Sequence, residues 1–157
     1  MLNELKEKFA AFSNVEEAEA HCDAPCGIYD SASARLGAES VLSMTKKILD
    51  LKVPEGGDAK AHANYHNTLT RYIMVKEEQA RIAKEELLIL WTDYFKPVHL
   101  ETYPNLHDTF WKAAKLCSAC KVEVSLEHAN ELLAAVKEIH EIFWATKNRD
   151  IAWYTSA

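Results

Sequence analysis

Apolar residues recur at three-and-four spacing through most of this chain, a period that predicts an all-α protein. Over residues 1–20, Leu2, Leu5, Phe9 and Phe12 stand among Lys and Glu in the pattern of a short helix. Ser31 is placed to cap a first long helix over residues 32–51, with Val41, Met44, Ile48 and Leu51 on one stripe. The run Val53-Pro54-Glu55-Gly56-Gly57-Asp58 then breaks the pattern. A second helix is predicted over residues 59–95, where Leu69, Ile73, Ala80, Ala83, Leu87, Leu90 and Tyr94 keep the period until Pro97 stops it. Pro104 suits the first turn of a third helix running to about residue 121, and a fourth over residues 125–147 turns Leu132, Val136, Ile139 and Phe143 inward. Four helices with short connections give an antiparallel up-and-down four-helix bundle. Residues 148–157 carry no period and read as either an interface strap or a frayed end.

Composition narrows the function more than the fold. A chain of 157 residues suits one domain with a core of its own. Its formal net charge of −6 offers no attractive field to nucleic acid or to an anionic membrane, and no apolar run approaches the ~18 residues of a membrane span. The same charge repels a small anion on average, so steering of one requires local Lys or Arg. Residues 18–20 (Ala-Glu-Ala) superficially resemble a signal-peptidase site. Glu4, Glu7, Glu16 and Glu17 interrupt the stretch and leave no apolar core, so a secretory signal fits poorly and a cytoplasmic location is expected. Four cysteines in a long helical chain point to metal binding or free thiols rather than to disulfide staples.

The densest chemistry lies in residues 21–30, His21-Cys22-Asp23-Ala24-Pro25-Cys26-Gly27-Ile28-Tyr29-Asp30, which gather an imidazole, two thiols around a proline turn and a phenol. The pattern His-Cys-x-x-Pro-Cys-Gly-x-Tyr resembles the nickel hook of the nickel-containing superoxide dismutases. The likeness continues in Trp91-Thr92-Asp93-Tyr94-Phe95-Lys96-Pro97, in His99-Leu100-Glu101-Thr102-Tyr103-Pro104, and in Ile142-Phe143-Trp144 with Thr146-Lys147.

The resemblance implies a nickel ion bound by His21, Cys22 and Cys26. Two cysteine thiolates, the α-amine of His21 and the backbone nitrogen of Cys22 would form a plane, with the His21 imidazole axial in the oxidised state. That α-amine exists only after a cut between Ala20 and His21, so residues 1–20 are expected to be a leader removed by a maturation protease, leaving residues 21–157 as the working domain. A permanent helical arm is the alternative. The implied reaction disproportionates superoxide to oxygen and hydrogen peroxide through Ni(II)/Ni(III) cycling. By motif position, Tyr29 covers the open face, Tyr94 hydrogen-bonds to it, Asp23 fixes the hook and Lys96 supplies positive charge. The family's assembly implies a homohexamer with the hooks sheltered between subunits. The chain departs from the family at Gly37 and Gln79, where a glutamate and an arginine commonly hold the axial histidine, and Glu39 or Arg81 is the expected replacement.

Other chemistry-bearing residues read more plainly. Cys117 and Cys120 lie on a predicted helix with no redox-fold strand before them and are expected to be small core or surface residues, with a zinc or redox role as the alternative. His62 and His66 stand one turn apart, but no glutamate accompanies them as in a zincin, and a solvated face is expected. His99, His107, His128 and His140 read as interface or core-edge residues. Two rival functions share the sequence: nickel or copper delivery without turnover, and a helical interaction protein with a metal-free hook. Nickel content separates the last from the others, and superoxide consumption separates catalysis from delivery.

Overall fold

The computed structural model describes residues 27–156. Among them the chain forms α1 (Ala32–Asp50), α2 (Ala59–Ile89), a π-helical turn (Leu90–Tyr94), the short α3 (His99–Thr102), α4 (Leu106–Val122) and α5 (Leu126–Thr146). Helix α1 packs on α2 and α5, and α4 packs on the same two. The four long helices therefore close into an up-and-down bundle, as the spacing predicts. The leader helix, His21, Cys22, Asp23 and Cys26 lie outside the described residues.

Helix α5 buries the expected stripe of Leu132, Val136, Ile139 and Phe143 completely. Elsewhere the buried faces differ from the bulky stripes. On α1 the core side is Ala34, Ala38, Val41 and Thr45, while Met44, Ile48 and Leu51 are only half-buried. On α2 the predicted Ala80, Ala83 and Leu87 are buried, whereas the predicted Ile73 is 39% exposed. Small side chains win here because they let two helix backbones approach closely enough for dense packing. Gly37 marks the nearest approach: a Cβ there would sit 2.9 Å from the Gln79 carbonyl oxygen and 3.0 Å from the Ala83 Cβ.

The helix ends also depart from simple expectation. Asp58 caps α2 by accepting from the Lys60 amide, and Ser125 caps α5 by accepting from the His128 amide. Ser31 stands at the N-cap of α1, as expected, but its side chain makes no capping bond. Asp30 accepts from the Ala32 amide at 2.9 Å instead, and the Ser31 hydroxyl is used elsewhere. Pro104 falls in the turn before α4 rather than inside its first turn. The α4 carboxyl end is closed by Lys76, whose buried ammonium donates to the carbonyls of Cys120, Lys121 and Glu123. Burial pushes the Lys76 pKa below the ordinary lysine value.

The second long helix does not continue regularly to Phe95. Its last turn widens into the π turn, closed by the Phe95 amide donating to the Leu90 carbonyl at 3.1 Å. A π turn inserts one extra residue per turn and so re-aims the side chains beyond it. Here it turns Trp91 onto Phe110, with rings parallel within 2° and centroids 6.0 Å apart, and sets Tyr94 against Phe143 at 4.7 Å. Residues 148–156 are a strap laid on the same chain's bundle, with Ile151 and Trp153 packed against the core.

Candidate metal centre

Gly27, the first described residue, has φ +65°, a left-handed conformation that favours glycine and turns the chain sharply. Ile28 beyond it is exposed, and Tyr29 plunges into the bundle end at 5% exposure. Its ring lies 5.5 Å from that of Tyr94. Around Tyr94 stand Phe95 at 5.0 Å, Phe143 at 4.7 Å and the His99 ring, stacked within 17° at 5.7 Å. The π turn, α3 and the carboxyl end of α5 thus build one aromatic seat, and the arm that carries the cysteines enters it.

Polar groups fix this seat from beneath. Thr146 spends its hydroxyl proton on the Phe143 carbonyl at 2.7 Å, so Tyr94 is the donor in its 2.7 Å bond to Thr146 Oγ1. The Tyr94 hydroxyl is thereby directed to α5, while its contact with Tyr29 is made ring to ring. Lys147 lies over the rings of Phe143, Tyr94 and Trp144 at 4.6, 5.3 and 5.6 Å, and its ammonium donates to the Tyr29 carbonyl at 3.4 Å. Lys96 is exposed, and its backbone amide donates to His99 Nδ1 at 3.0 Å, which leaves the proton of the neutral His99 ring on Nε2. Lys147 has no separate signal in the periodicity. Its place one turn after Phe143 and Trp144 is the clue that spacing offers.

Among the described residues no three His, Cys, Asp or Glu side chains gather to hold a metal ion. His62 bonds the Gly56 carbonyl through Nε2 at 2.8 Å, and His66 is exposed. The residues expected to hold the metal, His21, Cys22 and Cys26, lie before Gly27, outside the described residues. Two thiolates with nitrogen donors suit a late first-row ion such as nickel and not magnesium or calcium. Cys117 and Cys120 are buried free thiols, as expected, with burial pushing their pKa up to about 12 and about 11. A thiol of pKa near 12 is about one part in ten thousand thiolate at pH 8. Iodoacetamide at pH 8 should therefore leave both unmodified in the native chain and label both after denaturation, as read by peptide mass spectrometry. Labelling of the native protein at either position would contradict this.

Glu39 and Arg81, the residues expected in place of the family's pair, each have partners among the described residues, while His21 lies outside them. Both Glu39 carboxylate oxygens are engaged, Oε1 by Arg35 at 2.6 Å and Oε2 by the Ser156 amide at 2.6 Å. Arg81 is clamped between Glu78 and Glu85 on the surface. A glutamate at position 37 would drive its Cβ into the backbone of α2, so glycine there is required by the close α1–α2 packing. Helix propensity alone favours Gly37→Ala by about 1 kcal/mol. Overpacking against backbone costs about 1–3 kcal/mol and should win, lowering the urea midpoint. A raised midpoint would show that α1 and α2 yield easily.

The described residues define a class: a helical bundle with an aromatic seat at one end, which the chain enters at Tyr29. Residues 16–147 match the family model of nickel-containing superoxide dismutase. A nickel superoxide dismutase of Streptomyces seoulensis is 38% identical over 136 residues, covering 87% of this chain and 95% of that protein. One of Streptomyces coelicolor (strain ATCC BAA-471 / A3(2) / M145) is 39% identical over 128 residues, covering 82% and 88%. The 1.30 Å structure of native nickel superoxide dismutase superposes with a TM-score of 0.69 at 38% identity, covering 81% of this chain and 99% of that one. The chain belongs to the nickel-containing superoxide dismutase family; it is an oxidoreductase with a nickel cofactor and superoxide as its substrate. No helix among the described residues is long and apolar enough to cross a membrane.

Proposed function

We propose that His21, Cys22 and Cys26 hold the nickel, and that a protease frees the His21 α-amine by cutting after Ala20. Nickel bound there supplies one-electron redox chemistry, which the thiolates favour by donating electron density. The α-amine titrates near about 7.7–8.0 and a cysteine near about 8.5, so a metal displaces both protons at neutral pH. In the uncut chain that amine is an amide, a poor ligand. The freed amine and the Cys22 backbone nitrogen form a five-membered chelate, and the His21 imidazole is a further nitrogen donor.

The described residues support this reading by what they do next to the arm. Tyr29, two residues beyond Gly27, restricts the approach to small molecules, and Tyr94 holds it in place by ring packing. Lys96 and Lys147 place positive charge at this end of an otherwise acidic chain, which draws in a small anion. Asp23 fixes the arm against the bundle. The observation that carries the reading is that Tyr29, only three residues after Cys26, is buried with its ring against the half-buried Tyr94.

The assembly we propose is a homohexamer in the cytoplasm. Exposed Ile28 and Val98 at the seat end, with Trp111 on α4, leave apolar surface for subunit contacts. The charged composition of residues 1–20 and the free thiols of Cys117 and Cys120 support the compartment. The test compares the chain cut before His21 with the full 157-residue chain, each given nickel. The cut chain should retain nickel and consume superoxide while the full chain does neither. Equal activity of the two would overturn the maturation step.

A further inference from the structure

Residues 148–156 lie beyond the segment that the family model matches, yet they are tied closely to this chain. The anchor is His140, buried on α5. Its Nε2 lies 3.0 Å from the Ile151 carbonyl, which only accepts, so Nε2 carries the proton. In the neutral ring Nδ1 then accepts from the Ser31 hydroxyl at 2.8 Å. Ser31 is fully buried and sits two residues after Tyr29, at the root of the metal-binding arm. One imidazole thus joins the tail to the arm, with Trp153 against its face at 5.3 Å.

The far end of the tail is held independently. Arg35 of α1 lies 4.0 Å over the Tyr154 ring and donates to Ser156 Oγ at 3.2 Å, while the Ser156 amide donates to Glu39. The Arg35–Glu39 pair is committed to the tail. This also accounts for why Ser31 leaves its capping role to Asp30: its hydroxyl is spent on His140.

We propose that residues 148–156 form a strap which, through His140 as a positioning residue, fixes the root of the metal-binding arm and slows nickel loss. The inference rests on the ligand reading above only for its nickel readout. Four forms distinguish it: Ser31→Ala, His140→Phe, which keeps an aromatic ring and removes both bonds, truncation after Lys147, and Ser31→Ala combined with that truncation.

Hydrogen exchange in the metal-free full chain should quicken about 5-fold at residues 28–31 in each variant, the scale of one net buried hydrogen bond, with α2 and α4 unchanged. Nickel release to a chelator from the same variants cut before His21 should quicken by a similar factor. The combined variant should match the truncation alone, because the two changes break one linked chain of contacts. Exchange at residues 28–31 that is unaltered by truncation, faster exchange spread over α2 and α4, or effects that multiply in the combined variant would each overturn the strap. Failure of the unaltered cut chain to bind nickel would strike the ligand reading alone, since the metal-free exchange result stands without it.

Discussion

Cys26→Ser, made in the chain cut before His21, is expected to lose nickel and to consume superoxide more than about 100-fold more slowly than its parent. Losing an outer hydrogen-bonding partner of a metal ligand costs about 10–100-fold, and losing the ligand itself should cost more. Serine keeps the size and polarity of the side chain, but its hydroxyl is a hard oxygen donor that stays protonated at neutral pH. Neither contribution of the Cys26 thiolate, its strong soft bond and its donated electron density, survives. The fold should not notice. Tyr94 packs its ring on both Tyr29 and Phe143, contacts that the substitution leaves in place, and the thermal midpoint should move by no more than an ordinary surface change. Nickel analysis and stopped-flow superoxide decay check the first half, and calorimetry the second. A variant that keeps full nickel and activity would remove Cys26 from the ligand set.

Phe143→Ala should give the largest loss of stability, about 3–5 kcal/mol, out of a total of about 5–15 kcal/mol for a domain of this kind. The ring is fully buried, meets Tyr94 at 4.7 Å and Trp144 at 4.9 Å, and lies under the Lys147 ammonium. Removing it leaves a cavity beneath the aromatic seat and takes away the face against which Lys147 is held. The consequence therefore reaches the arm: Lys147 is the donor to the Tyr29 carbonyl. Urea unfolding should report the stability, and the exchange of the Tyr29 and Asp30 amides the loosening of the arm. A loss below about 2 kcal/mol, or an arm as protected as before, would show that the seat is held chiefly by the π turn.

The fold was legible because α5 is a clean amphipathic helix and because Pro54, Gly56 and Gly57 interrupt the pattern so clearly. What spacing missed lies mainly on α1: periodicity weighs bulk, whereas the buried face there is Ala34, Gly37 and Ala38, set against the predicted Ala80 and Ala83 of α2. Small residues carry little hydrophobic signal, yet they set the closest approach and so decide which face turns in. The π turn was invisible for a related reason. Nothing local in Leu90-Trp91-Thr92-Asp93-Tyr94 requires an extra residue in that turn, and the demand comes from the partners Phe110 and Phe143, far along the chain.

The site divides in the same way. His21, Cys22 and Cys26 announce themselves by residue type and order, because few chemistries need an imidazole and two thiols around a proline. Tyr29 and Tyr94 follow from their motifs, and the bundle brings their rings together. The supports of the seat, Thr146 under Tyr94, Lys147 on Tyr29 and His140 under Ser31, are ordinary polar residues separated from their partners by 52, 118 and 109 positions. No local pattern marks contacts of that range. Glu39 and Arg81 pair with charges three or four residues away on their own helices, which residue type alone does not reveal.

The central claim concerns which atoms touch the metal. Nickel K-edge X-ray absorption of the chain beginning at His21 measures this directly. The account predicts two sulfur donors per nickel with nitrogen completing the shell, and one sulfur or none after Cys26→Ser. A shell of oxygen and nitrogen alone in the unaltered chain, or a sulfur count that the substitution does not change, would contradict it.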